Sequence, residues 1–226
     1  MAAGRGTLLF CTSYCRSEGE WRGRPRRWLD HHLPLPLDRR AVFVLDDASP
    51  WVPDDADVRV IDALPDELPA GPAAFLFRFA THEGRHGMFG HRGWWRSFLH
   101  SLDIARALGC TRIVHVESDA FLLSRRLVEH INGIDRGWTA FWCPHYNVPE
   151  AGLQVIAEDS FGAMEEVASR GIDTLTRALA EVTLPFTHVK RGFAGNRYGE
   201  RGRRIPGYAD YACQVNYATM ATHYRG

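Results

Sequence analysis

Between Arg112 and Leu123 the chain reads Arg-Ile-Val-His-Val-Glu-Ser-Asp-Ala-Phe-Leu-Leu, an apolar run interrupted by two carboxylates one residue apart. Ile113, Val114 and Val116 are β-branched. The segment before them, from Trp94 to Leu108, carries apolar residues at 95, 98, 99, 102, 105 and 108, the stripe of a helix lying on a sheet. Gly109 is a suitable helix stop. Helix, stop and apolar run together read as a buried strand entering a sheet after a helix. In an extended segment residues i and i+2 project the same way, so Glu117 and Asp119 are expected to point together. Two charges held between apolar flanks need a partner. A hard divalent cation, Mg²⁺ or Mn²⁺, meets that need and leaves room for phosphate oxygens. Taken alone, the acid-x-acid triplet serves equally as a pair of loop acids; the flanking apolar runs favour the cation.

Further strands and helices follow from similar runs. Thr7 to Thr12 is a short strand, and the polar residues Thr12, Ser13 and Tyr14 at its end suit a ligand at a switch point of an open sheet. A polar turn then leads to a helical segment over 26–33. Ala41 to Leu45 forms a second strand ending in Asp46 and Asp47, which either accept hydrogen bonds from a nucleobase or ribose or build a turn before Ser49-Pro50. Val58 to Ile61 is a third. Phe75 to Arg92, rich in Gly, His and Arg, reads as a loop near the site. Ser124 is placed to cap a helix over 125–131. Gly137 to Pro144 reads as a strand, at the sheet edge or antiparallel. A turn over 145–150, a strand over 153–157, a helix capped by Ser160 and ended by Gly171, and a short helix over 173–181 follow. Beyond Thr187 the glycine- and arginine-rich chain reads as ordered loop lining the site, since it holds Phe193, Tyr198, Tyr208 and Tyr211. This order gives an α/β fold with a mixed, mostly parallel sheet flanked by helices, in one domain spanning 1–226.

Composition narrows the function. With 27 basic and 27 acidic residues the formal net charge is zero, which argues against non-specific nucleic-acid binding. Arginines crowd at 22, 24, 26 and 27 and at 201, 203 and 204, while Lys190 is the only lysine. Such forks suit phosphate, although for any single arginine a GC-rich genome is the favoured explanation. No apolar stretch has transmembrane length and the start lacks a secretory leader. The five scattered cysteines read as buried thiols of a reducing cytoplasm, so a cytoplasmic protein is expected, compatible with peripheral membrane association.

On these residues the chain resembles the GT-A class of nucleotide-sugar glycosyltransferases, of the bacterial surface-polysaccharide type. Glu117-Ser118-Asp119 looks like that class's acidic DxD motif, with Glu in the first position, and the segment Phe43 to Ser49 (FVLDDAS) is similar to its second strand with a nucleoside-contacting acid. Weaker similarities point to the retaining, glycogenin- and galactosyltransferase-like branch. Glu150 to Ile156 (EAGLQVI) is similar to its "NAGVLLIN" strand, Tyr208 to Asn216 to its "DQDxLN" segment, and His223 to Gly226 to its late "HFxG". The resemblance implies a Rossmann-like GT-A fold, Mn²⁺ or Mg²⁺ on Glu117, Asp119 and His223 (His188 as an alternative), and a UDP- or GDP-linked sugar donor. It also implies a saccharide or lipid-linked acceptor, and a polysaccharide or glycoconjugate as product.

The reaction adds its own demands. Charge on the leaving diphosphate calls for cations, for which Arg16, Arg96 and Lys190 are candidates. Glu117 and Ser118 are candidate donor contacts. A carboxylate must act as base or stabilise the anomeric carbon, for which Asp210 and Glu150 are named first and Asp159 next. Trp94, Trp95, Trp138 and Trp142 are candidate sugar platforms. Two other functions use a similar outline: a nucleotidyltransferase, whose lysine after the first strand is missing from the residues after Cys11, and a catalytically silent nucleotide- or sugar-binding protein.

Overall fold

Apolar runs buried on both faces make the left half of the sheet. β1 (Thr7–Ser13), β2 (Ala41–Asp46), β3 (Val58–Ile61) and β4 (Ala74–Arg78) lie parallel, and β2 and β1 are buried along their whole length. The computed structural model describes residues 6–87, 90–201, 204–215 and 222–226. Arg203 and Asn216, singled out above, lie outside them.

Between β1 and β2 runs one helix in three parts: α1 (Glu18–Trp21), a π-helical segment Arg22–Arg26, and α2 (Arg27–His32). The residues after Ser13 therefore form helix from Glu18 onward, where a polar turn was expected. Ser17 caps it by accepting the Glu20 N–H, and Pro25, which can donate no backbone hydrogen bond, is buried inside the π segment. The expected loop over 75–92 likewise begins as β4. Its run Phe75-Leu76-Phe77 has no alternation because both faces are covered, the signature of a parallel strand.

α3 (Arg92–Ala107) crosses back over the sheet, burying Trp95, Phe98, Leu102 and Ala105 as the stripe predicts. It delivers the chain to β5 (Arg112–Val116), parallel to β1 on the side away from β2. Next come the two-residue β6 (Phe121–Leu122), then α4 (Arg125–Gly133), whose cap Ser124 accepts the Leu127 N–H. β7 (Trp138–Cys143) and β8 (Val148–Ala157) form an antiparallel hairpin, and β8 pairs antiparallel with β5. Val148 to Glu150, expected in a turn, already belong to β8. α5 (Phe161–Ser169) ends at Gly171, whose φ of 75° suits glycine, but the Ser160 side chain makes no cap hydrogen bond. The helix expected over 173–181 is instead two separate turns, α6 (Ile172–Leu175) and α7 (Ala180–Thr183). β9 (His188–Lys190) then adds to β7 in parallel, which moves β7 off the sheet edge. The sheet order is β3-β4-β2-β1-β5-β8-β7-β9, an α/β arrangement with a mostly parallel sheet. β10 (Gly195–Arg197) and β11 (Tyr211–Cys213) join β6 in a second, three-stranded sheet.

Alternate residues of each strand feed opposite faces. Leu9, Val44 and Val114 pack with Trp21, Trp28 and α4, while Phe10, Phe43 and Ile113 pack with α3 and α5. Chain order reverses at β1, with β2 on one side and β5 on the other. The C-terminal ends of those two neighbours leave a crevice between them, the usual place for a ligand in such a sheet.

Candidate functional site

A cavity of about 1000 Å³ opens at that reversal, floored by the ends of β1, β2 and β5. β5 stops at Val116, and Ala120 N–H bonds to Glu117 O at 2.7 Å, so residues 117–120 form a tight turn. Glu117 and Asp119 thus both reach the cavity, but through a turn and not through the alternation of an extended strand.

Their surroundings differ sharply. Glu117 Oε1 accepts Ser118 N–H at 2.8 Å and Ser118 Oγ–H at 3.2 Å. Its Oε2 accepts Trp94 Nε1–H at 2.8 Å, and Thr12 Oγ–H is shared between both oxygens at 2.8 and 2.9 Å. His115 Nε2 approaches Oε2 to 3.3 Å, an electrostatic contact. Four donors match the four lone-pair sites of a carboxylate. Burial alone would raise the pKa of Glu117, but His115, the Ser118 N–H and Thr12 outweigh it and bring the group to about 2. Glu117 is therefore an anion held by the protein itself, with no lone pair left over.

Asp119 is the reverse case. It is 9% exposed, and its Oδ1 is buried with no hydrogen-bond partner. Burial, the charge of Glu117 and that of Glu150 push its carboxyl up to about 7, against the opposing pull of Arg24 and Arg197. Beside it Glu150, 1% exposed, is gripped by Arg197 through Nε at 2.7 Å and Nη2 at 3.0 Å, and accepts Gly152 N–H at 3.0 Å. Arg197 also bridges to Glu181 on α7 and lies 3.7 Å from Glu200. Three carboxylates thus share Arg197, and the acids at this end of the cavity outnumber the cations.

A divalent cation fits this donor set in one way. Among the described residues no three His, Cys, Asp or Glu side chains converge as a cation cage. The orphaned oxygen of Asp119, nine-tenths buried in an acid surplus, is one open ligand. Mg²⁺ and Mn²⁺ accept a single carboxylate when waters and phosphate oxygens complete the shell. Glu117 is not available for that shell. His223 is exposed on the C-terminal strap, where Arg225 bridges to Ser124, and does not line the cavity; neither does His188 on β9.

Thr12, Ser13, Tyr14, Arg16, Asp47, Ser118 and Glu150 line the cavity with the acid pair. Within this group Arg16 is paired to Glu20, and the Tyr14 ring stacks on His82 with centroids 4.0 Å apart. Asp47 accepts Gly84 N–H at 2.8 Å and Glu83 N–H at 3.2 Å, and pairs with Arg96 and His82. Its carboxylate rests on Gly93 at the start of α3, where a Cβ would lie 2.2 Å from Oδ2. Asp47 therefore fixes the loop over 81–84 across the cavity mouth.

Of the other expected residues only Trp94 and Trp95 reach the cavity. Asp46 accepts Ser49 N–H at 2.8 Å and closes the turn after β2. Arg96 serves Asp47 and lies over the Phe79 ring. Lys190 is on the outermost strand. Asp159 accepts Gly137 N–H at 2.7 Å. Asp210, 1% exposed, takes Arg126, Ser124 Oγ at 2.6 Å and Ala194 N–H at 2.7 Å, tying α4 to the second sheet. Burial opposes its ionisation, yet these partners hold its pKa below the usual carboxylate range. Trp138 is fully buried and donates to Gln154, Trp142 is covered by Arg191, and Trp95 lines the cavity while packing in the α3 core. Trp94 lines the cavity too, but its indole N–H is committed to Glu117. Sequence reasoning missed Arg24, His82, Arg197 and Glu181. Arg24 had a signal in the arginine crowd, and His82 and Arg197 lay in the two segments, 75–92 and beyond Thr187, read as loops at the site; Glu181 had none.

No family model and no curated protein matches this sequence. Two solved structures are similar to the chain at 8% identity and a TM-score of 0.49 each. One is a glycosyltransferase involved in the glycosylation of the major capsid of PBCV-1, with 94% of this chain and 95% of that one covered. The other is the glycosyltransferase GlyE of Streptococcus pneumoniae TIGR4, with 83% of this chain and 45% of that one covered. This chain thus spans less than half the length of GlyE.

Proposed function

We propose that the cavity binds a nucleotide-diphosphate sugar and that the chain transfers the sugar to an acceptor hydroxyl. The observation that carries this reading is the buried oxygen of Asp119, among the described residues the one buried carboxylate oxygen without a hydrogen-bond partner, at the crevice where chain order reverses beside β1. A buried acid left without a partner is costly to the fold, and a ligand-borne or ligand-completed cation offsets that cost. Asp119 would hold Mg²⁺ or Mn²⁺, which when bound supplies charge compensation to the leaving diphosphate. The nucleoside lies toward β1 and β2, where the Tyr14–His82 stack gives an aromatic face at the mouth.

The bond between the anomeric carbon and its phosphate oxygen breaks, the electron pair leaving with the diphosphate, and the acceptor oxygen bonds to that carbon. Glu150 is the carboxylate placed to take the acceptor's proton, since it lines the cavity and Asp210 does not. Arg197 orients it through two hydrogen bonds. Glu117 has a positioning role: it locks Thr12, Ser118 and Trp94 around the donor site.

A panel of UDP- and GDP-hexoses with Mn²⁺, Mg²⁺ or chelator tests the reading. At least one donor is expected to turn over with metal, and Asp119→Asn to abolish that turnover with the circular dichroism spectrum unchanged. Absence of turnover across the panel, or full activity in the variant, refutes it.

A further inference from the structure

The arginines before and along the first helix are not equivalent. Arg16 is paired with Glu20, Arg22 with Glu18, and Arg26 with Asp30 and Asp57. Arg24 stands apart: among the described residues no carboxylate lies within ion-pair distance of it, and it lines the cavity. Its Nη2 donates to Tyr14 O at 3.0 Å, which anchors the guanidinium at the end of β1 and leaves most of its donors uncommitted. Its charge is felt by Asp119 across the cavity, as well as by Cys11 and Cys15 below.

Local backbone explains the placement. Arg24 belongs to the π-helical segment Arg22–Arg26, whose Pro25 is buried in the core next to it. Short π insertions recur where a helix presents a side chain to a functional site. Gly19 and Gly23 share the cavity face with Arg24. A Cβ at Gly23 would meet nothing within 4 Å, so the helix surface beside the guanidinium is bare and open to a ligand. Of the cavity's other arginines, Arg16 is spent on Glu20 and Arg197 on Glu150 and Glu181, while the exposed Arg85 donates to Gly87 O at 2.9 Å.

We propose that Arg24 is the protein cation that binds the donor's diphosphate, taking phosphate oxygens from the side opposite Asp119. The assignment rests on the sugar-nucleotide reading of the cavity. A diphosphate brought up to an ionised Asp119 is repelled unless cations stand on both sides. A metal on Asp119 provides one, and a guanidinium, whose planar fork matches two phosphate oxygens, provides the other.

Calorimetric titration with UDP, GDP, UMP and GMP in Mn²⁺ tests it. Wild type is expected to bind one diphosphate more tightly than its monophosphate. Arg24→Met should weaken the diphosphate by about 10- to 100-fold, the loss of a charge-assisted contact, and the monophosphate much less. Arg24→Lys should recover part of the difference, which a purely structural role would not do. Arg22→Ala, exposed and off the cavity, should match wild type. If Arg24→Met keeps the diphosphate-to-monophosphate ratio within threefold of wild type, the assignment is overturned while the donor site stands. If it weakens both ligands equally, and Arg24→Lys does the same, Arg24 is structural and the assignment is again overturned. If wild type binds no nucleotide at millimolar concentration, the sugar-nucleotide reading falls, and this assignment with it.

Discussion

Replacing Asp119 by Asn should make the protein more stable, and increasingly so as pH rises. The folded-state carboxyl is raised from 3.8 to about 7, roughly three pKa units, or about 4 kcal/mol at 1.36 kcal/mol per unit. The sign follows from linkage. The unfolded chain gives up the Asp119 proton at lower pH than the folded one, so stability falls as pH climbs from about 4 to about 7 and stays reduced above that. Below pH 4 the group is protonated in both states and costs nothing. Asn carries no charge to desolvate and is nearly the same shape. The difference between variant and wild type should therefore widen by about 2–3 kcal/mol between pH 5 and pH 8. Glu117, held near 2, stays ionised throughout and does not blur the comparison. Urea unfolding in the presence of chelator at the two pH values measures the effect. Mn²⁺ added at pH 8 should shrink the gap, because it binds wild type alone. A variant that is less stable than wild type at pH 8, by a margin independent of pH, would refute the claim that Asp119 is a buried, uncompensated acid.

Glu117→Gln should act in the opposite direction. It removes the carboxylate that His115 faces and misaligns the donors Trp94 and Thr12, for a loss of about 2–3 kcal/mol in urea unfolding at pH 7. Asp210→Asn should cost about 1–3 kcal/mol through Arg126 and Ser124 while leaving kcat unchanged at low temperature. The contribution of Asp210 to stability, present above the ordinary aspartate range, should fade as pH drops through its depressed value, which a pH series of melting temperatures will show. His223→Ala should leave Mn²⁺ affinity within twofold of wild type by calorimetry, since its side chain is exposed and away from the cavity.

The elements that sequence made legible were those with one dominant signal. The stripe from Trp95 to Ala105, the β-branched run of β5 and the cap at Ser124 each translated directly into structure. β4 did not, because Phe75 to Phe77 is covered on both faces and so shows no period, and the histidines and glycines behind it mask its end. The helix start was hidden by Gly19 in α1 and by Gly23 and Pro25, breakers that the π segment tolerates. At the site, pairing of Glu117 and Asp119 was visible, but their division of labour was not. That division depends on Thr12 and Trp94, 105 and 23 residues away in the chain, filling the lone pairs of one acid and leaving the other bare. Asp210 and Arg96 were named for their charge alone, and only the fold shows that Asp210 is taken by Arg126 and Ser124 and Arg96 by Asp47.

Diffraction from crystals soaked with Mn²⁺ and the tightest-binding nucleoside diphosphate tests the central claim most directly. Anomalous density should lie against Asp119 Oδ1, bridging to phosphate, with Glu117 still bonded to Thr12, Ser118 and Trp94. Manganese bound elsewhere, or nucleotide density that bypasses Asp119 altogether, would contradict the account.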